Sequence, residues 1–336
     1  MPIDFRRIVQ PDRRILVLLA LLAAIPFAFA SNYFLSVGVV VGLFALVATG
    51  LNLLMGHAGQ VSLGQAAFFG MGAYGSTLLS LKLGVNPWLS LAASTLLVVA
   101  SAYIMGAFTL RLSGHYLAMA TLGFGIIVYI FLVEARPITG GPSGLVNIPA
   151  LRLGTISLGT DRNAYLLVWM TVLGGLAVYQ NVVGSRIGLA LRAIHGSEYA
   201  ASALGIHVWR AKLQVFVLSA AYAAVSGGLY AHYIGFISPV PFGFAASIEF
   251  VVAGVVGGLA SAGGPVVGAS IVVVLSQALK EVLPRIVRGA GGELEIMVHG
   301  VILILILILM PEGVSGRIER LLARHRLAGA GGRRAA

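Results

Sequence analysis

The sequence predicts an all-α, polytopic integral membrane protein of about ten transmembrane helices (eight to ten), with one polar cytoplasmic segment between them. Three features predict it. Of 336 residues, 59% are hydrophobic and 10% charged, with a mean hydropathy of +0.98, whereas soluble domains carry roughly a quarter charged residues. The apolar residues fall in blocks of about 20, the length a helix needs to cross about 30 Å of hydrocarbon. The arginines gather between blocks and at the chain ends, as cytoplasmic loops require. A net charge of +11 therefore marks membrane topology, and no nucleic-acid partner is expected.

The elements follow in order. Residues 1–14 are read as a cytoplasmic N-terminus carrying Arg6, Arg7, Arg13 and Arg14. The apolar run from Ile15 is a retained first span, because a second run begins at Leu35 with no soluble domain to deliver. A membrane domain covers 15–310, with spans at 15–34, 35–55, 61–81, 88–110, 115–133, 164–181, 213–233, 248–262, 264–283 and 296–310. Ten crossings put both ends inside, so 311–336 becomes a basic cytoplasmic tail with Arg317, Arg320, Arg324, Arg326, Arg333 and Arg334. The same parity places Arg111 and 183–212 inside and the loop 134–163 outside. Lys280, Arg285 and Arg288 break the charge rule, offset in part by Glu281, Glu293 and Glu295. Eight spans with re-entrant pieces keep the same parity.

Two glycine- and serine-rich stretches, Met55–Gln65 and Gly257–Gly268, interrupt the apolar pattern. Unwound backbone at membrane depth survives only where protein or a water-filled cavity satisfies it, so such breaks point to a solute pathway. The alternative is a tight surface loop at each. Gly38/Gly42, Gly254/Gly258 and Gly264/Gly268 have the spacing of close helix contacts. In the external loop, Gly140, Gly141 and Gly144 around Pro142 predict a turn-rich structure, either a gate or a connection.

Several chemistries are missing. Lys82, Lys212 and Lys280 are the only lysines and none follows a glycine, so the chain has no phosphate-cradling Gly-Lys-Ser/Thr loop. No His-Glu-x-x-His and no Gly-x-Ser-x-Gly occurs, and the lack of cysteine removes thiolate chemistry. No catalytic residue, bound cofactor or metal is expected. Glu134 and Glu249 fall near predicted span ends, where headgroup water reaches them. A proton pump buries its carboxylate relay deeper, which disfavours an ion-coupled transporter without touching sodium coupling through neutral oxygens. His115, His232 and His299, with Trp88, Tyr116, Trp169, Tyr179 and Tyr233, read as interfacial residues.

The longest polar interruption is Val183–Lys212, with Arg186, Arg192, Arg210 and Lys212 against Glu198. Ser197 suits an N-cap and Glu198 complements the helix dipole. Ala200, Ala201, Ala203 and Leu204 then make a short helix that Gly205 can end. Such a segment either lies on anionic membrane lipid or packs against a partner.

Longer motifs carry a resemblance. The stretch Gly50–Tyr74, GLNLLMGHAGQVSLGQAAFFGMGAY, is similar to the hallmark of branched-chain amino-acid ABC transporter permeases. Leu110–Gly125, Thr139–Leu145, Ala200–Ile206, Lys212–Gly228 and Pro311–Gly313 match in the same order, so the resemblance covers most of 38–313. Within the family the chain resembles the LivM-like subunit, whose usual partner is a LivH-like permease.

The resemblance implies an importer in the bacterial cytoplasmic (inner) membrane. A solute-binding protein delivers substrate outside, two permeases form the path, and two ATPase subunits holding ATP-Mg drive it. Related importers carry urea, short amides or aromatic acids, which keeps the substrate open. Ile126 stands where many relatives carry a polar or acidic residue, so no polar role is expected there. For ATPase coupling, the resemblance nominates Ser197, Glu198, Ala200, Ala201 and Gly205, braced by Arg192. A zwitterion with an apolar tail needs weak, replaceable hydrogen bonds along its path. Asn52, Gln60, Ser62, Gln65 and Thr121 are the uncharged polar candidates, with helix capping or helix–helix bonding as the alternative for each.

Overall fold

The computed structural model describes residues 31–112, 114–154, 156–286, 292–309 and 313–314. The expected N-terminus, the first predicted span up to residue 30, and the basic tail apart from Gly313 and Val314 lie outside the described residues. α-Helices of six or more residues dominate the rest. They are α1 (Asn32–Leu51), α2 (Gln65–Lys82), α3 (Pro87–Thr109), α4 (His115–Glu134), α5 (Asp161–Gly184) and α6 (Arg186–Gly196). After them come α7 (Glu198–Ala203), α8 (Val208–Ile234), α9 (Phe244–Gly257), α10 (Gly264–Ile286) and α11 (Gly292–Leu309). Each predicted span beyond the first falls on one of these helices.

Among the described residues, six helices are long and apolar enough to cross a membrane: Asn32–His57, α3, α4, α5, α8 and Gly264–Leu283. The chain is thus a multi-pass membrane protein. The apolar helices α9 and Ile296–Ile306 within α11 are shorter. Glu249 lies more than one turn inside α9 and is half-buried, so the expectation of a carboxylate at a span entrance is corrected. The helix starts at Phe244, earlier than the apolar run suggests.

Two helices form the centre. In both α1 and α8, 67% of the most apolar window is buried inside the protein, against 17% in α4. α1 packs on α5, α8, α9 and α10, while α8 packs on α1, α2 and α3. Lipid is as apolar as leucine, so such contacts come from close backbone approach and interhelical hydrogen bonds. A Cβ on Gly227 of α8 would overlap the Phe69 carbonyl of α2, and one on Gly72 would overlap the Ala224 backbone. Gly268 of α10 meets the Ala253 carbonyl in the same way, and Gly38 and Gly42 face Tyr165 and Val168 of α5. Polar ties reinforce the seams. Ser226 Oγ donates to the Leu43 carbonyl (2.8 Å), and Tyr222 donates to the Gly175 carbonyl (2.6 Å).

The loop 135–160 folds across one end of the bundle. Gly140, Gly141 and Gly144 have φ of +77°, +59° and +71°, the left-handed turns expected there. β1 (Leu145–Val146) pairs antiparallel with β4 (Phe236–Ile237), and β2 (Arg152–Leu153) pairs with β3 (Ile156–Ser157). Lys82 donates to the carbonyls of Pro137 (2.8 Å) and Ile138 (2.9 Å), and Trp88 donates to that of Arg152 (2.8 Å). His232 is buried between Ser76 (2.7 Å) and the Pro149 carbonyl (2.7 Å), so it closes this end and is not an interfacial side chain. The opposite end carries the breaks and the polar segment.

Candidate functional site

α1 does not stop at Leu51. It widens into a π turn over Asn52–His57 and then bends through residues 58–64 to α2. The second break lies beside it, where Gly258 (φ +109°) and Ala260 (φ +65°) leave helical geometry. Asn52 joins the two. Its Oδ1 accepts from the Ala260 amide (2.6 Å) and its Nδ2 donates to the Ser261 carbonyl (2.8 Å). One side chain thereby satisfies a donor and an acceptor that the unwound backbone leaves open, which membrane depth demands. Gly56 is glycine for a local reason: a Cβ there would collide with Asn52 Oδ1 and the Ala260 amide. Gly313 packs on Gly258 from the far end of the chain.

Across from the bend sit α6 and α7. Ser185 caps α6 by accepting from the Ile187 amide (3.1 Å), and α6 buries Leu191 and Ile194. Ser197 turns extended and caps α7 by accepting from the Ala200 amide (3.3 Å). Gly205 ends the helix at φ +80°, with its amide on the Ser202 carbonyl (2.9 Å) and the Ile206 amide on the Ala201 carbonyl (3.1 Å). That pair of bonds is the Schellman stop, which needs a left-handed residue at Gly205. Ala201 points inward and is buried, whereas Tyr199 (92% exposed) and Leu204 (79%) stand outward.

The two structures meet through one carboxylate. Glu198 Oε1 pairs with Lys212 Nζ at 2.5 Å, and Gln60 Nε2 donates to the same oxygen at 3.4 Å. Lys212 is 2% exposed on the first turns of α8, while Glu198 is 37% exposed. Gln60 also donates to the Ala58 carbonyl (3.0 Å), and its Oε1 is buried with no partner. His57 bonds Tyr179 of α5 (2.8 Å), and Gly59 faces the His195 ring. A cleft of about 450 Å³ opens beside the ion pair, lined by Leu110, Arg111, Glu198, Val208, Trp209 and Lys212.

The expected pathway residues are all internal. Asn52, Gln60, Ser62, Gln65 and Thr121 are buried, and their bonds bind the bend to its neighbours. Thr121 Oγ1 accepts from the Leu63 amide (3.0 Å), Ser62 Oγ accepts from the Gly64 amide (3.5 Å), and Gln65 donates to Ser219 (3.0 Å). The crevice between α2, α4 and α9, lined by Leu63, Ala66, Gly125, Ile126 and Ser247, holds about 10 Å³. That is near the volume of one water probe, too small for an amino acid. Among the coupling candidates, Ser197, Glu198 and Gly205 shape α7, Ala200 is exposed, and Ala201 faces the core. Arg192 donates to the Val183 carbonyl (3.3 Å), so it braces α6 on the end of α5 and not residues 197–206. Sequence reasoning missed Lys212 as the partner of Glu198, and Tyr199 and Leu204 as the outward side chains. A lysine at the mouth of an apolar span, in a chain with three lysines, is the available signal.

Residues 33–307 match the family described as branched-chain amino acid transport system / permease component. The chain is 30% identical over 323 residues to the high-affinity branched-chain amino acid transport system permease protein LivM of Escherichia coli, covering 89% of this chain and 74% of that protein. It is 31% identical over 295 residues to the permease protein LivH of Salmonella typhimurium, covering 82% of this chain and 92% of that one. A solved chain from PsaBC of Streptococcus pneumoniae aligns at a TM-score of 0.44 and 14% identity over 86% of this chain and 95% of that chain, too distant to bear on the argument. The chain belongs to the branched-chain amino acid transport system permease family.

Proposed function

We propose that this chain is one permease subunit of an ABC importer for branched-chain amino acids in the bacterial cytoplasmic membrane. It pairs with a second, LivH-like permease to enclose the pathway. Two ATPase subunits that bind ATP-Mg drive it from the cytoplasm, and a solute-binding protein delivers substrate from outside. The remaining parts of the ten-span topology, with α7 inside and 134–163 outside, belong to the same proposal. Family membership supports the transport class, and one geometric observation supports the site of coupling. A capped helix of six residues presents Tyr199 and Leu204 to the outside while its first residue is ion-paired into the membrane domain. A helix this short does not hold itself together in water, and here its two caps and its seat on α8 hold it. An exposed tyrosine on a capped helix is the kind of anchor that protein interfaces favour, and Leu204 adds apolar area beside it.

The chain supplies no ATP site of its own. Its contribution is positional: α7 receives the movement of the ATPase, and the bend at 52–64 lies within hydrogen-bonding reach of it. Asn52, Gln60, Ser62, Gln65 and Thr121 border the pathway in this proposal, packed shut in the conformation described. Reconstitution tests the whole reading. The chain, its companion permease, both ATPases and the binding protein in liposomes take up leucine only with internal ATP. Leucine uptake by the chain alone, without ATPase subunits, contradicts it. Parallel assays with isoleucine, valine, urea and aromatic acids identify the substrate.

A further inference from the structure

We infer that Lys212 and Gln60 are positioning residues that carry movement of α7 to the bend between α1 and α2, through their shared hold on Glu198. This rests on the reading of α7 as the docking element. Lys212 is almost fully buried, and its ammonium lies on Glu198 Oε1 at 2.5 Å. A buried charge stripped of its partner is strongly unfavourable, so α7 and the start of α8 move together or not at all. Gln60 extends the link. Its Nε2 rests on the same carboxylate oxygen at 3.4 Å, and its other bond, to the Ala58 carbonyl at 3.0 Å, stays within the bend.

The buried Gln60 Oε1 has no partner in this arrangement. Such an acceptor is costly as it stands, so the Gln60 side chain is held by its Nε2 bonds alone. The Gln60 amide therefore bridges Glu198 and the bend, and Gln60 sits one residue beyond Gly59, itself against His195 of α6.

The test uses the complete importer in liposomes, measuring amino acid taken up per ATP hydrolysed. Lys212→Met keeps the buried stem and removes the charge, and it leaves Glu198 partly exposed to the cleft, so assembly survives. The expected result is continued ATP hydrolysis with uptake per ATP reduced about tenfold, the size of a typical coupling loss. Lys212→Arg restores the ratio. Gln60→Ala removes no charge and lowers the ratio in the same direction, and it carries the test should Lys212→Met fail to assemble. A wild-type ratio in either variant that assembles overturns the inference. A wild-type importer with no ATP-dependent uptake overturns the reading of the function itself, a separate outcome.

Discussion

Asn52 shows at the scale of one residue how a broken helix persists inside a membrane. Its amide closes two backbone groups of the second break, and without it each group loses about 1–3 kcal/mol. Asn52→Ala is therefore expected to lower the thermal unfolding midpoint of the purified chain, while Asn52→Ala in the cell lowers its membrane level. An unchanged midpoint would show that water or another group serves as well. Gly227 makes a complementary case. A Cβ there would overlap the Phe69 carbonyl, so Gly227→Leu forces α2 and α8 apart at roughly 1–3 kcal/mol or more of overpacking. A lower yield of monodisperse protein checks it.

Composition made Asn52 visible as an uncharged polar residue beside a break, but not its partner. The partner lies 208 residues away in a loop whose left-handed Ala260 no local rule predicts. The close contacts show the same limit. Gly38 and Gly42 had a readable spacing, whereas Gly72 and Gly227 become contacts only because α2 and α8 lie side by side.

At the scale of the element, α7 was largely legible. Ser197 caps it and Gly205 stops it because both act through bonds a few residues long, which sequence does encode. Its orientation was not legible, since facing depends on α8 and the bend. Ala201 looked like part of a docking surface, yet it is buried, and Ala201→Arg would unseat the helix from within. The outward side chains make the cleaner probes. Tyr199→Asp and Leu204→Asp remove little internal contact, so folding and insertion persist while ATP-driven uptake falls about tenfold or more. Uptake at the wild-type rate in both variants would remove α7 from the interface. Gly205→Ala is a milder case. A Cβ at this position would meet no atom within 4 Å, so only the left-handed backbone resists, at about 1 kcal/mol.

For the whole molecule, the described helices separate two ends with different tasks. One end is sealed by the loop 135–160, short strand pairs and the Lys82, Trp88 and His232 bonds to loop carbonyls. The other gathers both helix breaks, the Glu198–Lys212 pair and α7. The buried centre of α1 and α8 connects them, and α4 is mostly exposed and apolar. The pathway itself could not be read, because the pairing proposed above gives its other wall to another chain.

The central claim is that residues 197–206 touch the motor, and the chain has no native cysteine to confuse a cross-linking test. The assembled, ATP-hydrolysing complex is treated with a short bifunctional cross-linker after Tyr199→Cys or Leu204→Cys, with Ile156→Cys at the sealed end as control. Cross-links to an ATPase subunit from positions 199 and 204, and none from 156, are the predicted result. A complex that imports amino acid yet cross-links from neither 199 nor 204, or as readily from 156, would contradict it.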